Sequence, residues 1–96
     1  MTHTDHPVTD YQAALGDDGQ LVDVREPQEV AEGTLPNALN IPLGDLADRV
    51  EELDPQRRVV VLCRSGGRST NASEYLTSVG FTDVVNLAGG MLAYDS

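Results

Sequence analysis

Apolar residues recur along the chain with two different periods, and the switches between them mark the elements. Four short runs are β-rich and bounded by turn residues: Leu21-Val22-Asp23-Val24, Leu39-Asn40-Ile41, Val59-Val60-Val61-Leu62 and Val84-Val85-Asn86-Leu87. The run at 59–62 holds no polar residue, which suits a central strand buried on both faces. A weaker strand signal lies around Pro7-Val8. Helical spacing fills the intervals. Thr9-Asp10-Tyr11-Gln12 reads as a capping box ahead of a helix that carries Tyr11, Ala14 and Leu15 and ends at Gly16. Glu26-Pro27 opens a short helix that closes at Gly33, with proline at its first position. Leu43, Leu46, Ala47, Val50 and Leu53 recur at helical spacing, with Pro55 just beyond. Ala72, Tyr75, Leu76 and Val79 share one helix face, Gly80 supplies a left-handed ending, and Phe81 is placed to pack back on Leu76. Strand and helix in alternation predict a parallel sheet covered by helices, an α/β fold.

Composition narrows the class. The 96 residues make one small domain over 1–96, and 40% apolar against 23% charged residues is a globular balance. No window approaches the roughly 18 apolar residues of a membrane span, and the first residues lack the basic and apolar regions of a signal peptide. A soluble, cytoplasmic protein is expected. The net charge is −10, and all six basic residues are arginine. Such a surface repels nucleic acid and anionic lipid, so neither is expected as a partner. Cys63 is the single cysteine, which excludes an internal disulfide framework and a multi-cysteine metal site. His3 and His6 are the only histidines, and their place in an N-terminal tail speaks against a metal site. No cofactor and no metal enters the reading.

The ordinary reading of a lone cysteine is a buried, inert hydrophobe. The setting of Cys63 changes it. The most apolar strand runs directly into Cys63-Arg64-Ser65-Gly66-Gly67-Arg68, and a helix begins straight after. Ligand sites of parallel sheets lie beyond the carboxyl ends of the strands. A strand-to-helix loop with two glycines can turn its amides around a small anion, helped by the helix N-terminus. Amides, helix dipole and two guanidinium groups would all lower the thiol pKa below the free value of about 8.5. The loop carries +2, so the rest of the chain carries −12 against the total of −10. A cysteine-protease arrangement needs a histidine base, and the body of the chain has none. A thiolate held by electrostatics alone suits attack on sulfur or phosphorus. Four residues separate Cys63 from Arg68. Cysteine phosphatases of the tyrosine type resemble this loop but place five there, so the tighter cradle suits a single sulfur atom better than a phosphoryl group.

At this loop the chain resembles a single-domain rhodanese, and the likeness spans nearly all of it. The segments that carry it are 21–26 (Leu-Val-Asp-Val-Arg-Glu), 32–43 (Glu-Gly-Thr-Leu-Pro-Asn-Ala-Leu-Asn-Ile-Pro-Leu), 63–69 (Cys-Arg-Ser-Gly-Gly-Arg-Ser) and 86–91 (Asn-Leu-Ala-Gly-Gly-Met). The resemblance implies a rhodanese-like domain, a mainly parallel five-stranded sheet flanked by helices. It also implies a sulfurtransferase. Cys63 would take a sulfane sulfur from thiosulfate or another persulfide donor. It would pass that sulfur to a thiophilic acceptor: cyanide in assay, a thiol or thioredoxin-like protein in the cell. The amides of 64–68 (Arg64, Ser65, Gly66, Gly67 and Arg68) would stabilise the terminal sulfur, with Arg64 and Arg68 holding the anionic donor. The alternative is a binding, sulfur-carrier or sensing module that works with a partner without turnover. The chain departs from the family at Thr34, where a histidine is common, and at Asn37, where glycine is common. Asn37 is the best non-glycine choice for a left-handed turn. Met91-Leu92-Ala93-Tyr94 stands where the family often has a tryptophan-bearing helix.

Neighbouring residues have plainer readings. Asp23 and Arg25 lie at the carboxyl end of their strand and could border the site. Arg25 is rather expected to pair with an acid such as Glu29 and only to support the loop. The acids from Asp48 to Asp54 read as a solvated helix face. Gly89-Gly90 could approach the cysteine loop, but a turn before the last helix suffices to explain it. Ser65 keeps two readings, as a donor to substrate or as a helix cap.

Overall fold

The computed structural model describes residues 3–95. The elements are β1 (Thr4–Pro7), α1 (Tyr11–Leu15), β2 (Gln20–Asp23), α2 (Pro27–Ala31), β3 (Leu39–Asn40), α3 (Leu46–Arg49), β4 (Val59–Leu62), α4 (Gly67–Ser78), β5 (Val84–Ala88) and α5 (Gly90–Tyr94). The five strands form one sheet in the order β1-β5-β4-β2-β3, and every pair is parallel. The expected α/β architecture is therefore the one observed.

β4 sits in the middle, with Val59, Val60, Val61 and Leu62 all at 0% exposure. Alternation divides its side chains between two cores. Val59 and Val61 join Ala72, Leu76 and Phe81 on one face, whereas Val60 and Leu62 join Leu21, Val85, Leu87 and Met91 on the other. Cys63 continues the first set, under α4. The strand period thus decides which side of the sheet receives the thiol.

The helical stretches depart from the expected pattern in three places. No side chain caps α1; a 3₁₀ turn at Val8–Asp10 leads into it instead of a capping box. The stretch expected as one helix over 43–53 is a 3₁₀ turn, α3 and a second 3₁₀ turn. The apolar spacing follows this mixture. Leu43 to Leu46 is three residues across a 3₁₀ turn, Leu46 to Val50 four across α3, and Val50 to Leu53 three across 3₁₀ again. Finally, α4 ends at Ser78 and leaves Val79 exposed at 47%. Its ending is otherwise as expected: Gly80 takes φ +107°, and the Phe81 N–H donates to the Leu76 carbonyl at 3.1 Å. The first strand starts earlier than the signal at Pro7-Val8, at Thr4. No helix among the described residues is long and apolar enough to cross a membrane.

Candidate active site

Cys63 leaves β4 at 1% exposure. The chain then turns into a left-handed conformation at Gly66, φ +111°, before α4 begins at Gly67. That turn aims the Gly66 N–H at Cys63 Sγ, 2.9 Å away. The Ser69 hydroxyl lies 3.3 Å from the same sulfur. Burial pushes the thiol up. Hydrogen bonds from the Ser69 hydroxyl and from the backbone N–H groups of Ser69, Gly66 and Ser65 outweigh it, and the net direction is down from 9.0. The direction matches the sequence expectation, but the leading cause is hydrogen bonding, with the Arg68 charge acting behind it.

The two loop arginines are not equivalent. Arg68 grips Glu29 of α2 through two bonds of 2.7 and 2.8 Å. Arg68 first, and the Glu26 N–H second, hold the Glu29 carboxyl down to about 2. The stretch free of acids in sequence is therefore not free of acids in space. Arg64 is exposed and makes no side-chain hydrogen bond or ion pair among the described residues, whereas each of the other five arginines is paired with a carboxylate. Arg64 and Arg25 both border a cleft of about 240 Å³, together with Glu29, Glu32, Met91 and Leu92.

Arg25 is corrected in partner. Its guanidinium binds Asp23, with Nη2 2.7 Å from Oδ2 and Nε 3.0 Å from Oδ1. Glu29 offers it only a backbone carbonyl, at 3.4 Å. The carboxylate of Glu29 is taken by Arg68, and Asp23, two residues away at the strand end, is fully buried and reaches Arg25 first. Asp23 also accepts from the Thr34 hydroxyl at 2.7 Å, so Thr34 supplies a polar contact of its own. Asn37 takes φ +66°, the left-handed conformation expected of it.

Ser65 is exposed, and no side chain caps α4, so its capping role does not form. Gly67 is the first residue of α4. Gly89-Gly90 does more than turn the chain. The Met91 and Leu92 N–H groups donate to the Cys63 and Arg64 carbonyls, both at 2.9 Å. A Cβ at Gly90 would fall on the Cys63 carbonyl and 2.5 Å from the Arg64 carbonyl carbon. The last helix thus fastens the backbone of the cysteine loop. The sequence suggested Glu29 only as a partner for Arg25, not for Arg68, and gave Ser69 and Asn86 no role beyond the segments that carry the resemblance. Asn86 did carry a signal: it is the one polar residue in the apolar run 84–87, and it is buried.

The chain matches the family of rhodanese-like domains over residues 7–96. A sulfurtransferase from Allochromatium vinosum is 44% identical over 78 residues, covering 81% of this chain and 73% of that protein. Thiosulfate sulfurtransferase GlpE of Pseudomonas syringae pv. syringae is 34% identical over 84 residues, 88% of this chain and 79% of that one. The crystal structure of a rhodanese-like domain protein from Staphylococcus aureus superposes with a TM-score of 0.82 at 33% identity, over 98% of this chain and 91% of that one.

Proposed function

The chain belongs to the rhodanese-like family, and on that premise we propose that it moves a sulfane sulfur from thiosulfate or another persulfide donor to a thiophilic acceptor through a persulfide on Cys63. Sulfur transfer is the chemistry that its relatives' names support. The observation that carries the finer reading is the sulfur itself, buried in a ring of N–H donors with its pKa drawn down and no histidine beside it. In the first half-reaction the Cys63 thiolate attacks the outer sulfur of thiosulfate. The S–S bond of the donor breaks, and sulfite leaves with the electron pair. The amides of Ser65, Gly66 and Ser69 then face the terminal, partly anionic sulfur. In the second half-reaction a cyanide or thiolate attacks that sulfur, and Cys63 departs as thiolate. The cellular acceptor is a small thiol or a thioredoxin-like protein. Intact mass after incubation with thiosulfate should show one added sulfur, and cyanide should discharge it as thiocyanate with ping-pong kinetics. A mass unchanged after thiosulfate would refute the reading.

Donor binding falls to Arg64, with Ser65, Gly66 and Gly67 forming the rest of the loop's open face. Arg68 acts through its ion pair with Glu29, which ties α4 to α2 and shapes the loop. Arg64→Ala should raise the thiosulfate KM about three- to tenfold, the range for losing a charge-assisted contact at an exposed site. Arg64→Lys should recover part of it, since lysine keeps the charge but not the fork. Steady-state kinetics with thiosulfate as the varied substrate measures both, and an unchanged KM in Arg64→Ala would assign donor binding to the backbone cradle alone.

A further inference from the structure

Behind the thiol, buried polar side chains compete for a single proton. Ser69 is at 0% exposure and Asn86 at 4%. The Ser69 hydroxyl lies 3.3 Å from Cys63 Sγ, 3.1 Å from the Gly66 carbonyl, and within hydrogen-bond reach of Asn86 Oδ1. A hydroxyl has one proton to donate. The Gly66 carbonyl is already filled by the Thr70 N–H at 3.0 Å and the Thr70 hydroxyl at 2.7 Å. The Ser69 proton therefore divides between Asn86 Oδ1 and the sulfur.

What Asn86 offers depends on which way its amide faces. The β1–β5 register sets Asp5 opposite Asn86. Asp5 Oδ1 accepts from Asn86 Nδ2 at 3.0 Å, and the same nitrogen reaches Thr70 Oγ1 at 3.2 Å. Turned over, the amide would set its oxygen against the Asp5 carboxylate, two acceptors with no proton between them. Asp5 thereby keeps the Asn86 oxygen toward Ser69.

We propose that Asn86, oriented by Asp5, is a positioning residue for Cys63 that draws the Ser69 proton away from the sulfur until the sulfur becomes a thiolate. In the resting thiol, donation runs from Sγ–H to Ser69 Oγ and from Ser69 O–H to Asn86 Oδ1. When the acceptor takes the outer sulfur, the S–S bond breaks and its electron pair stays on Cys63 Sγ. Ser69 then turns its O–H to the thiolate and gives up its bond to Asn86. Asn86 thus opposes the thiolate that Ser69 favours, and the pair sets how readily Cys63 ionises. The inference rests on the sulfurtransferase reading only for that discharge step. The charged groups around the thiol are Arg64 and Arg68, Glu29 of α2 behind Arg68, the Asp23–Arg25 pair at the end of β2, and Asp5 of β1 with His3 Nε2 at 3.4 Å. Of these only Asp5 hydrogen-bonds to the Ser69–Asn86 pair.

The test is the midpoint of Cys63 alkylation rate against pH, which needs no sulfur donor. The wild-type midpoint should lie below that of a free cysteine. Asn86→Leu keeps the volume and removes the acceptor, and should lower the midpoint by about half to one pH unit, as one hydrogen bond implies. Asp5→Ala, at a side chain 65% exposed, frees the amide to turn and should shift the midpoint the same way by less. Ser69→Ala should raise it, and in that background both other substitutions should have no effect. Unshifted midpoints in Asn86→Leu and Asp5→Ala would overturn the proposal, and so would shifts that persist without Ser69, since those would be plain electrostatics. Should Asn86→Leu fail to fold, Asp5→Ala with and without Ser69 decides alone. Midpoints that shift as expected in a protein unable to accept sulfur would refute the sulfurtransferase reading and leave this one standing.

Discussion

Cys63→Ser is expected to abolish thiocyanate formation, a loss of about a thousandfold or more, while the thermal midpoint moves by no more than a few degrees. The two halves of the expectation have separate causes. Serine differs from cysteine by one atom, and the Gly66 N–H and the Ser69 hydroxyl that meet Sγ can meet an oxygen as well. The buried volume under α4 is nearly preserved, so little packing is lost. Chemistry is another matter. A serine hydroxyl stays protonated at neutral pH in the absence of a general base, and the site holds its nucleophile by amide hydrogen bonds rather than by a histidine. An oxygen nucleophile also cannot form the persulfide through which the proposed transfer runs. Mass spectrometry after thiosulfate should therefore find no added sulfur on Cys63→Ser. Retained turnover would place the sulfur-carrying step elsewhere.

Gly90→Ala should cost about 2–4 kcal/mol of stability and lower kcat/KM for sulfur transfer about a hundredfold. Gly90 holds φ +57°, which alanine adopts only with strain. The new methyl group would also meet backbone, the Cys63 and Arg64 carbonyls, and backbone cannot swing aside as a side chain does. The loop must move, and with it the amides that face the sulfur. Gly16→Ala separates the two effects. Gly16 has nearly the same φ, +59°, with nothing within 4 Å of the added carbon. With ψ at −150° it should show backbone strain alone, about 1–3 kcal/mol, and full activity. Equal activity loss in both variants, measured beside denaturant unfolding, would contradict a specific role for the approach of α5 to the cysteine loop.

Most of the fold was legible because its signals are local. β4 declares itself through four consecutive apolar residues, and a strand buried on both faces needs nothing else to be recognised. The proline after Glu26 and the glycine after Val79 mark a helix start and a helix ending for reasons of backbone geometry alone. The broken helix over 43–53 was harder, because three- and four-residue spacings occur in both helix types and only hydrogen bonding separates them.

By itself, the sequence determined the parallel α/β class, the place of Cys63 at the end of the central strand, and the glycine turn that aims backbone N–H groups at its sulfur. The class follows from the alternation of local periods, and the other two from contiguous residues, with α5 then fastening the loop from outside. Only the tertiary structure decided which arginine is free. Arg64 and Arg68 read alike along the chain, but α2 brings Glu29 to Arg68 across 39 positions and leaves Arg64 to the cleft. The Ser69–Asn86 pair spans 17 positions, and the Asn86–Asp5 bond spans 81. Such pairings follow from the strand order β1-β5-β4-β2-β3 and its register. Hydrophobic periodicity states which face of each strand is buried, but not which strand lies beside it.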